Sequence, residues 1–121
     1  MLHYPATTRD DDVVAAEHED VNVLTVLPAS GEPGLEVLHS GKYIPVPSDQ
    51  NLVVLNCGDA LSGHDHSFIS ATHRVVRTRK QGSRMSLPLF IHCTPDSMLR
   101  DCNVTAGTAL DKRLSLIEKK A

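Results

Sequence analysis

Three metal-capable side chains and one anion-binding pair stand at spacings that allow them to converge. In Glu17-His18-Glu19-Asp20, His18 and Asp20 lie two apart, and on an extended chain such side chains point to the same face. His73, in Ala71-Thr72-His73-Arg74-Val75-Val76, follows Asp20 by 53 residues on a segment that reads as a strand. Two imidazoles and one carboxylate form a facial donor set for Fe(II), leaving the opposite metal face open for a cosubstrate and dioxygen. Eleven residues beyond His73 comes Arg84-Met85-Ser86, again two apart and sharing a face. A guanidinium grips a carboxylate with a two-pronged fork and a neighbouring hydroxyl can add a hydrogen bond, so Arg84 and Ser86 can anchor a dicarboxylate. Each residue alone has a plainer reading, a hydrogen-bonded strand histidine or an exposed arginine. The ordered set is what carries weight.

The elements that must position these residues read as short strands. Apolar runs at Met1–Tyr4, Val13–His18, Val21–Leu27, Leu35–Leu38, Lys42–Val46, Leu52–Cys57, Phe68–Val76 and Arg84–His92 alternate with segments rich in Gly, Pro, Ser and Asp. Eight evenly spaced strands imply a sandwich or jelly-roll barrel. From Thr108 onward, Leu110, Leu114 and Ile117 recur at helical spacing, with Thr108 as N-cap and Lys119 and Lys120 at the dipole's negative end. One amphipathic C-terminal helix is therefore expected to pack outside the sheet. The Asp10–Asp12 run and the basic residues Arg74, Arg77, Arg79 and Lys80 read as solvated surface, as do His64 and His66 in their loop.

Composition narrows the field further. With 121 residues the chain can bury one core, and only 3% aromatic residues with no Trp leave Val, Leu and Ile to build it. That favours β structure. A net charge of −3 offers no footprint for nucleic acid or an anionic membrane. Cys57, Cys93 and Cys102 form no C-x-x-C pair, which argues against a disulfide framework or cysteine zinc site and for a reducing, cytoplasmic location. No apolar run has the length of a membrane span, and the first dozen residues are too polar for a signal peptide.

The H-x-D, the distal His and the R-x-S resemble those of the 2-oxoglutarate and Fe(II)-dependent dioxygenases of the isopenicillin N synthase-like family. Leu24-Thr25-Val26-Leu27, Pro33-Gly34-Leu35-Glu36-Val37, Leu52-Val53-Val54-Leu55-Asn56-Cys57-Gly58-Asp59 and His73-Arg74-Val75-Val76 are similar to family segments and stand in the family's order. The resemblance implies a mainly β double-stranded β-helix with a short C-terminal α-helix. It further implies iron held by His18, Asp20 and His73, and 2-oxoglutarate held by Arg84 and Ser86. Tyr4 matches the tyrosine of the family's N-x-Y position, although Leu2 stands where the Asn is expected. The implied reaction is C–H oxidation of a small-molecule substrate, coupled to decarboxylation of 2-oxoglutarate to succinate.

The chain departs from the family in two respects. The family's small S/T-N-G turn before the distal histidine is replaced by Gly63-His64-Asp65-His66. Family members are usually more than twice this length, so residues 1–121 are expected to form a single dioxygenase-type domain without the family's N-terminal region: a fragment, a truncated gene product, or a minimal barrel completed by self-association through an exposed sheet. Two other readings stand beside the enzyme. One is a truncated, catalytically impaired β-barrel that binds metal or a partner without turnover, and the other is a cupin-like module whose triad holds a different divalent metal.

Overall fold

The computed structural model describes residues 1–10, 12–77, 80–100 and 103–118, the last two by backbone alone. Asp11, Arg79, Cys102, Lys119, Lys120 and the side chain of Ile117, named above, lie outside the described residues. The elements run β1 (Leu2–Tyr4), β2 (Asp12–His18), β3 (Leu24–Pro28), β4 (Leu35–His39), β5 (Lys42–Pro45), β6 (Val53–Cys57), α1 (Asp59–His64), β7 (His73–Arg77), β8 (Arg84–Ser86), β9 (Leu89–Ile91), β10 (Met98–Leu99), β11 (Val104–Thr105) and α2 (Ala106–Glu118). The chain is mainly β, as expected, and every strand pairing is antiparallel.

Two sheets face a common interior. One has the order β2-β7-β4-β5, the other β6-β3-β9, and the pair β1-β8 adds a third wall. Alternation assigns the inward rows: His73, Val75 and Arg77 from β7, Leu35 and Val37 from β4, Thr25 and Leu27 from β3, and Val54 and Asn56 from β6. The outer face of the first sheet is polar at its centre. There Arg74 pairs with Glu36 at 2.7 Å and lies 3.6 Å above the Tyr43 ring, while the Tyr43 hydroxyl donates to Glu17.

The interior is unusual in its chemistry. Among the described residues only Val75 and Leu99 are buried apolar side chains, whereas Asn22, Thr25, Arg77, Arg84 and Ser86 are buried polar ones. Arg77 departs from its expected place on a solvated face. It is fully buried, donating from Nη1 to the Pro33 carbonyl at 2.8 Å and from Nη2 to the Gly82 carbonyl, so it ties two loops to the end of β7. Its place on β7, two residues beyond Val75, makes it inward-facing.

Several boundaries differ from the sequence reading. The long run Arg84–His92 divides at Leu87-Pro88, and its halves pair with different partners, β8 with β1 and β9 with β3. Proline lacks the N–H that a continuous ladder needs. The expected loop 58–66 holds α1, whose Gly58, Ser62 and Gly63 mimic a turn in composition. Helix α2 spans Ala106–Glu118, and Thr105 rather than Thr108 caps its start, since Thr105 Oγ1 accepts from the Thr108 amide at 3.3 Å. Its burial is also less than expected. Leu110 is half-buried but residues 111–116 are exposed, and its first turns sit by the β10–β11 hairpin and α1, with Arg113 Nε 3.4 Å from Asp59 Oδ2. Asp12 is no solvated loop residue, since it opens β2 and accepts from Thr7 Oγ1 at 2.7 Å.

Candidate active site

The β2–β7 pairing brings His18 directly opposite His73, with ring centroids 4.3 Å apart. The ladder is irregular between Val13 and His18, and the bulges turn the end of β2 inward. Asp20 follows in the loop beyond, its Oδ1 lying 3.6 Å from His18 Nε2 and 3.8 Å from His73 Nε2. One ligand atom from each of the three lies within 4.8 Å of the others, the separation a single ion can span.

Hydrogen bonds orient each donor. His18 Nδ1 is 2.8 Å from the Ala16 carbonyl oxygen and His73 Nδ1 is 2.9 Å from that of Ala71, the same two-residue reach in both. A carbonyl only accepts, so Nδ1 carries a proton in both rings, and Nε2 of each ring is the atom turned toward Asp20. The other carboxylate oxygen, Asp20 Oδ2, accepts from Thr25 Oγ1 at 2.6 Å and from Asn56 Nδ2 at 2.7 Å. Asn22 Nδ2 donates in turn to Thr25 Oγ1 at 2.8 Å.

Helix α1 secures the loop that carries Asp20. The Asp59 amide donates to the Asp20 carbonyl at 2.9 Å, and Gly58 and Ala60 donate to Val23 and Asn22. The fit at Gly58 leaves no room for a side chain, since a Cβ there would stand 2.0 Å from the Asn22 carbonyl oxygen. Burial pushes the Asp59 carboxyl above its usual range, against the opposing pull of Arg113.

Opposite the triad, β8 and β1 present the other half of the site. Arg84 and Ser86 are buried and inward, at 4% and 5% exposure, and Tyr4 and Leu2 stand directly across the ladder from them. The Arg84 guanidinium carbon is 5.5 Å from the Tyr4 ring centroid, and Nε reaches the Glu32 carbonyl at a long 3.5 Å. Burial pushes Arg84 below its usual range, a shift opposed by Tyr4 and Glu32 and reinforced by Arg77. Among the described residues no carboxylate forms an ion pair with it. A buried, charged guanidinium without a protein counter-ion favours an incoming anion.

A cavity of about 280 Å³ joins the two halves, lined by the triad at one end and by Arg84, Ser86 and Tyr4 at the other. All six residues singled out from the sequence border this one space. His64 and His66 do not, being exposed at the end of α1 and in the loop after it, where the Ser67 amide donates to Asp65 and holds its carboxyl below the usual range. Thr25, Asn56 and Asn22 were not anticipated. The single available signal was polar residues in otherwise apolar strands, which also fits exposed positions.

These features have counterparts in known proteins. Residues 1–93 match the sequence model of the 2OG-Fe(II) oxygenase superfamily. The chain is 33% identical over 99 residues to leucoanthocyanidin dioxygenase 2 of Oryza sativa subsp. japonica, covering 80% of this chain and 26% of that protein. It is 37% identical over 98 residues to scopoletin 8-hydroxylase of Arabidopsis thaliana, covering 78% and 27% respectively. Among solved structures, a Shewanella oneidensis protein assigned as an oxygenase superposes with a TM-score of 0.79 at 42% identity, over 96% of this chain and 46% of that one. Neurospora crassa T7H in complex with alpha-KG superposes with a TM-score of 0.84 at 26% identity, over 95% and 43%. The chain thus spans about a quarter of the curated relatives it matches and under half of these solved chains. With a jelly-roll architecture, a family match over most of its length and a His-Asp-His group at the barrel's interior, the chain belongs to the 2OG-Fe(II) oxygenase superfamily.

Proposed function

We propose that residues 1–121 form a single dioxygenase-type domain that oxidises a small molecule with Fe(II) and 2-oxoglutarate. The observation that carries this reading is the shared cavity, with a group of three candidate metal ligands at one end and, at the other, a buried arginine that has no carboxylate ion pair among the described residues. His18, Asp20 and His73 would hold the metal through two Nε2 atoms and Oδ1. Arg84, Ser86 and Tyr4 would hold the distal carboxylate of 2-oxoglutarate, Arg84 as the charge partner and the hydroxyls as further donors. The donor set suits Fe(II), which when bound supplies the oxidation of a C–H bond coupled to decarboxylation of 2-oxoglutarate to succinate.

The chain's own residues orient and shelter. Ala16 and Ala71 carbonyls fix both imidazole tautomers, Thr25 and Asn56 fix the carboxylate, and Leu27, Val37 and Val75 give the cavity apolar walls. A small-molecule substrate, with neither nucleic acid nor membrane as partner, is favoured by the net charge of −3. Among the described residues no helix is long and apolar enough to cross a membrane. Cys57 and Cys93 are free thiols, in keeping with a cytoplasmic location.

Self-association forms part of the same proposal. Val53, Leu55, Leu89 and Ile91 are exposed on the outer face of β6-β3-β9, and the accessible surface is 8072 Å². A self-contained chain of this size exposes about 6,400 Å². A second copy on that face is expected, so sedimentation velocity should show a dimer that Leu55→Glu dissociates.

Anaerobic titration with Fe(II) and then 2-oxoglutarate tests the central reading. The expected result is a weak visible charge-transfer band that His18→Ala and His73→Ala abolish. Succinate release on admitting air with candidate substrates is expected as well. A filled site that releases none would mean a barrel that binds without turnover, and the absence of any band would overturn the metal site.

A further inference from the structure

We infer that Thr25 and Asn56 are positioning residues that make Asp20 present a single oxygen to the metal, with Asn22 acting behind Thr25. The inference rests on the metal-site reading above. A carboxylate has two oxygens, each with two acceptor directions, and nothing intrinsic chooses between them. Here Oδ2 receives an O–H from Thr25 at 2.6 Å and an N–H from Asn56 at 2.7 Å, which together fill its acceptor directions. Oδ1 faces both histidines. The carboxylate is thereby made unequal before any metal arrives.

Rigid elements hold the two donors. Thr25 on β3 and Asn56 on β6 are direct partners in the ladder, so the sheet fixes their spacing while Asp20 sits on a loop. The Thr25 proton has one direction available. Its oxygen accepts from Asn22 Nδ2 at 2.8 Å, and the hydroxyl must then donate toward Asp20. Asn22 is 1% exposed and Thr25 4%, so water cannot easily replace either donor. A carboxylate held to one oxygen uses one coordination position, whereas one freed to use both would occupy a second. That second position belongs to the open face on which a chelating 2-oxo acid depends.

Co(II), titrated alone and then with 2-oxoglutarate, tests this without turnover, read by calorimetry and by visible absorption. The wild-type chain should bind Co(II), and the isosteric Thr25→Val and the similarly sized Asn56→Leu should weaken that binding by about 10–100-fold. Both should also change the Co(II) spectrum and blunt its response to 2-oxoglutarate. Thr25→Ser keeps the hydroxyl and should restore wild-type affinity, a rescue that a purely structural role would not give. Circular dichroism establishes that each variant is folded, and Thr25→Ser and Asn56→Leu test the pair if Thr25→Val does not fold. Folded Thr25→Val and Asn56→Leu variants with wild-type Co(II) affinity and spectrum would overturn the inference alone. A wild-type chain that binds no Co(II) would overturn the metal site as well.

Discussion

His18 and His73 are a directly opposed pair on neighbouring antiparallel strands, each with its Nδ1 tied to the carbonyl two residues before it. The ladder register therefore sets the separation of two candidate metal donors. His18 is half exposed, with 49% of its side chain accessible, and its ring lies against His73. His18→Ala should therefore change urea stability of the metal-free protein by no more than about 0.5 kcal/mol. Metal affinity should collapse in the same variant, and equilibrium unfolding beside metal titration separates the two effects.

Arg84 should behave in the opposite sense to an ordinary buried residue. Its guanidinium is charged, 4% exposed and without a carboxylate partner among the described residues. Arg84→Met removes that desolvated charge, so the cosubstrate-free protein should be as stable as wild type or more so. Affinity for 2-oxoglutarate should fall by about 2–5 kcal/mol, the usual loss for one partner of a desolvated charge pair. Thermal melts with and without 2-oxoglutarate measure both quantities, and a variant still stabilised by the ligand would remove Arg84 from the site.

Gly58→Ala tests the docking of α1. The added Cβ would meet the Asn22 carbonyl oxygen at 2.0 Å, backbone against side chain, so either α1 or the Asp20 loop must move. A destabilisation of about 1–3 kcal/mol is expected from such overpacking. Because Asp59 and Ala60 hold that same loop, metal affinity should fall in a fraction of molecules that remains fully folded.

Asp59 gives a pH signature. Burial raises its carboxyl above the usual 3.8, so the folded chain binds a proton more tightly than the unfolded one. The contribution is fully present below about 4 and is lost as pH rises through the raised value. Asp59→Asn should flatten that decline, and urea unfolding at a series of pH values between 3.5 and 7 reads the difference. Equal slopes for the two proteins would show that Arg113 already compensates the burial.

The strands, and the six candidate residues that border one cavity, were legible because most obey local rules, period-two alternation and two-residue spacing. What sequence could not show depends on pairing. Arg77 has the same charge as Arg74, but alternation puts it on the inward side of β7 with two carbonyls to satisfy, while Arg74 meets Glu36 outside. Thr25 and Asn56 are separated by 31 residues, and only the β3–β6 register makes them joint donors to one oxygen. The β10–β11 hairpin is too short, with two residues in each strand, to leave an alternating pattern.

The scarcity of buried apolar side chains has a consequence for how this protein holds itself together. Among the described residues Val75 and Leu99 are a meagre buried core, and the space between the sheets is walled by half-buried apolar side chains such as Leu27, Leu35 and Val37, with the triad at one end and Arg84 at the other. In such a barrel, ligand occupancy and conformational integrity are one linked equilibrium, since whatever binds only the folded form raises its stability in proportion to the logarithm of its concentration.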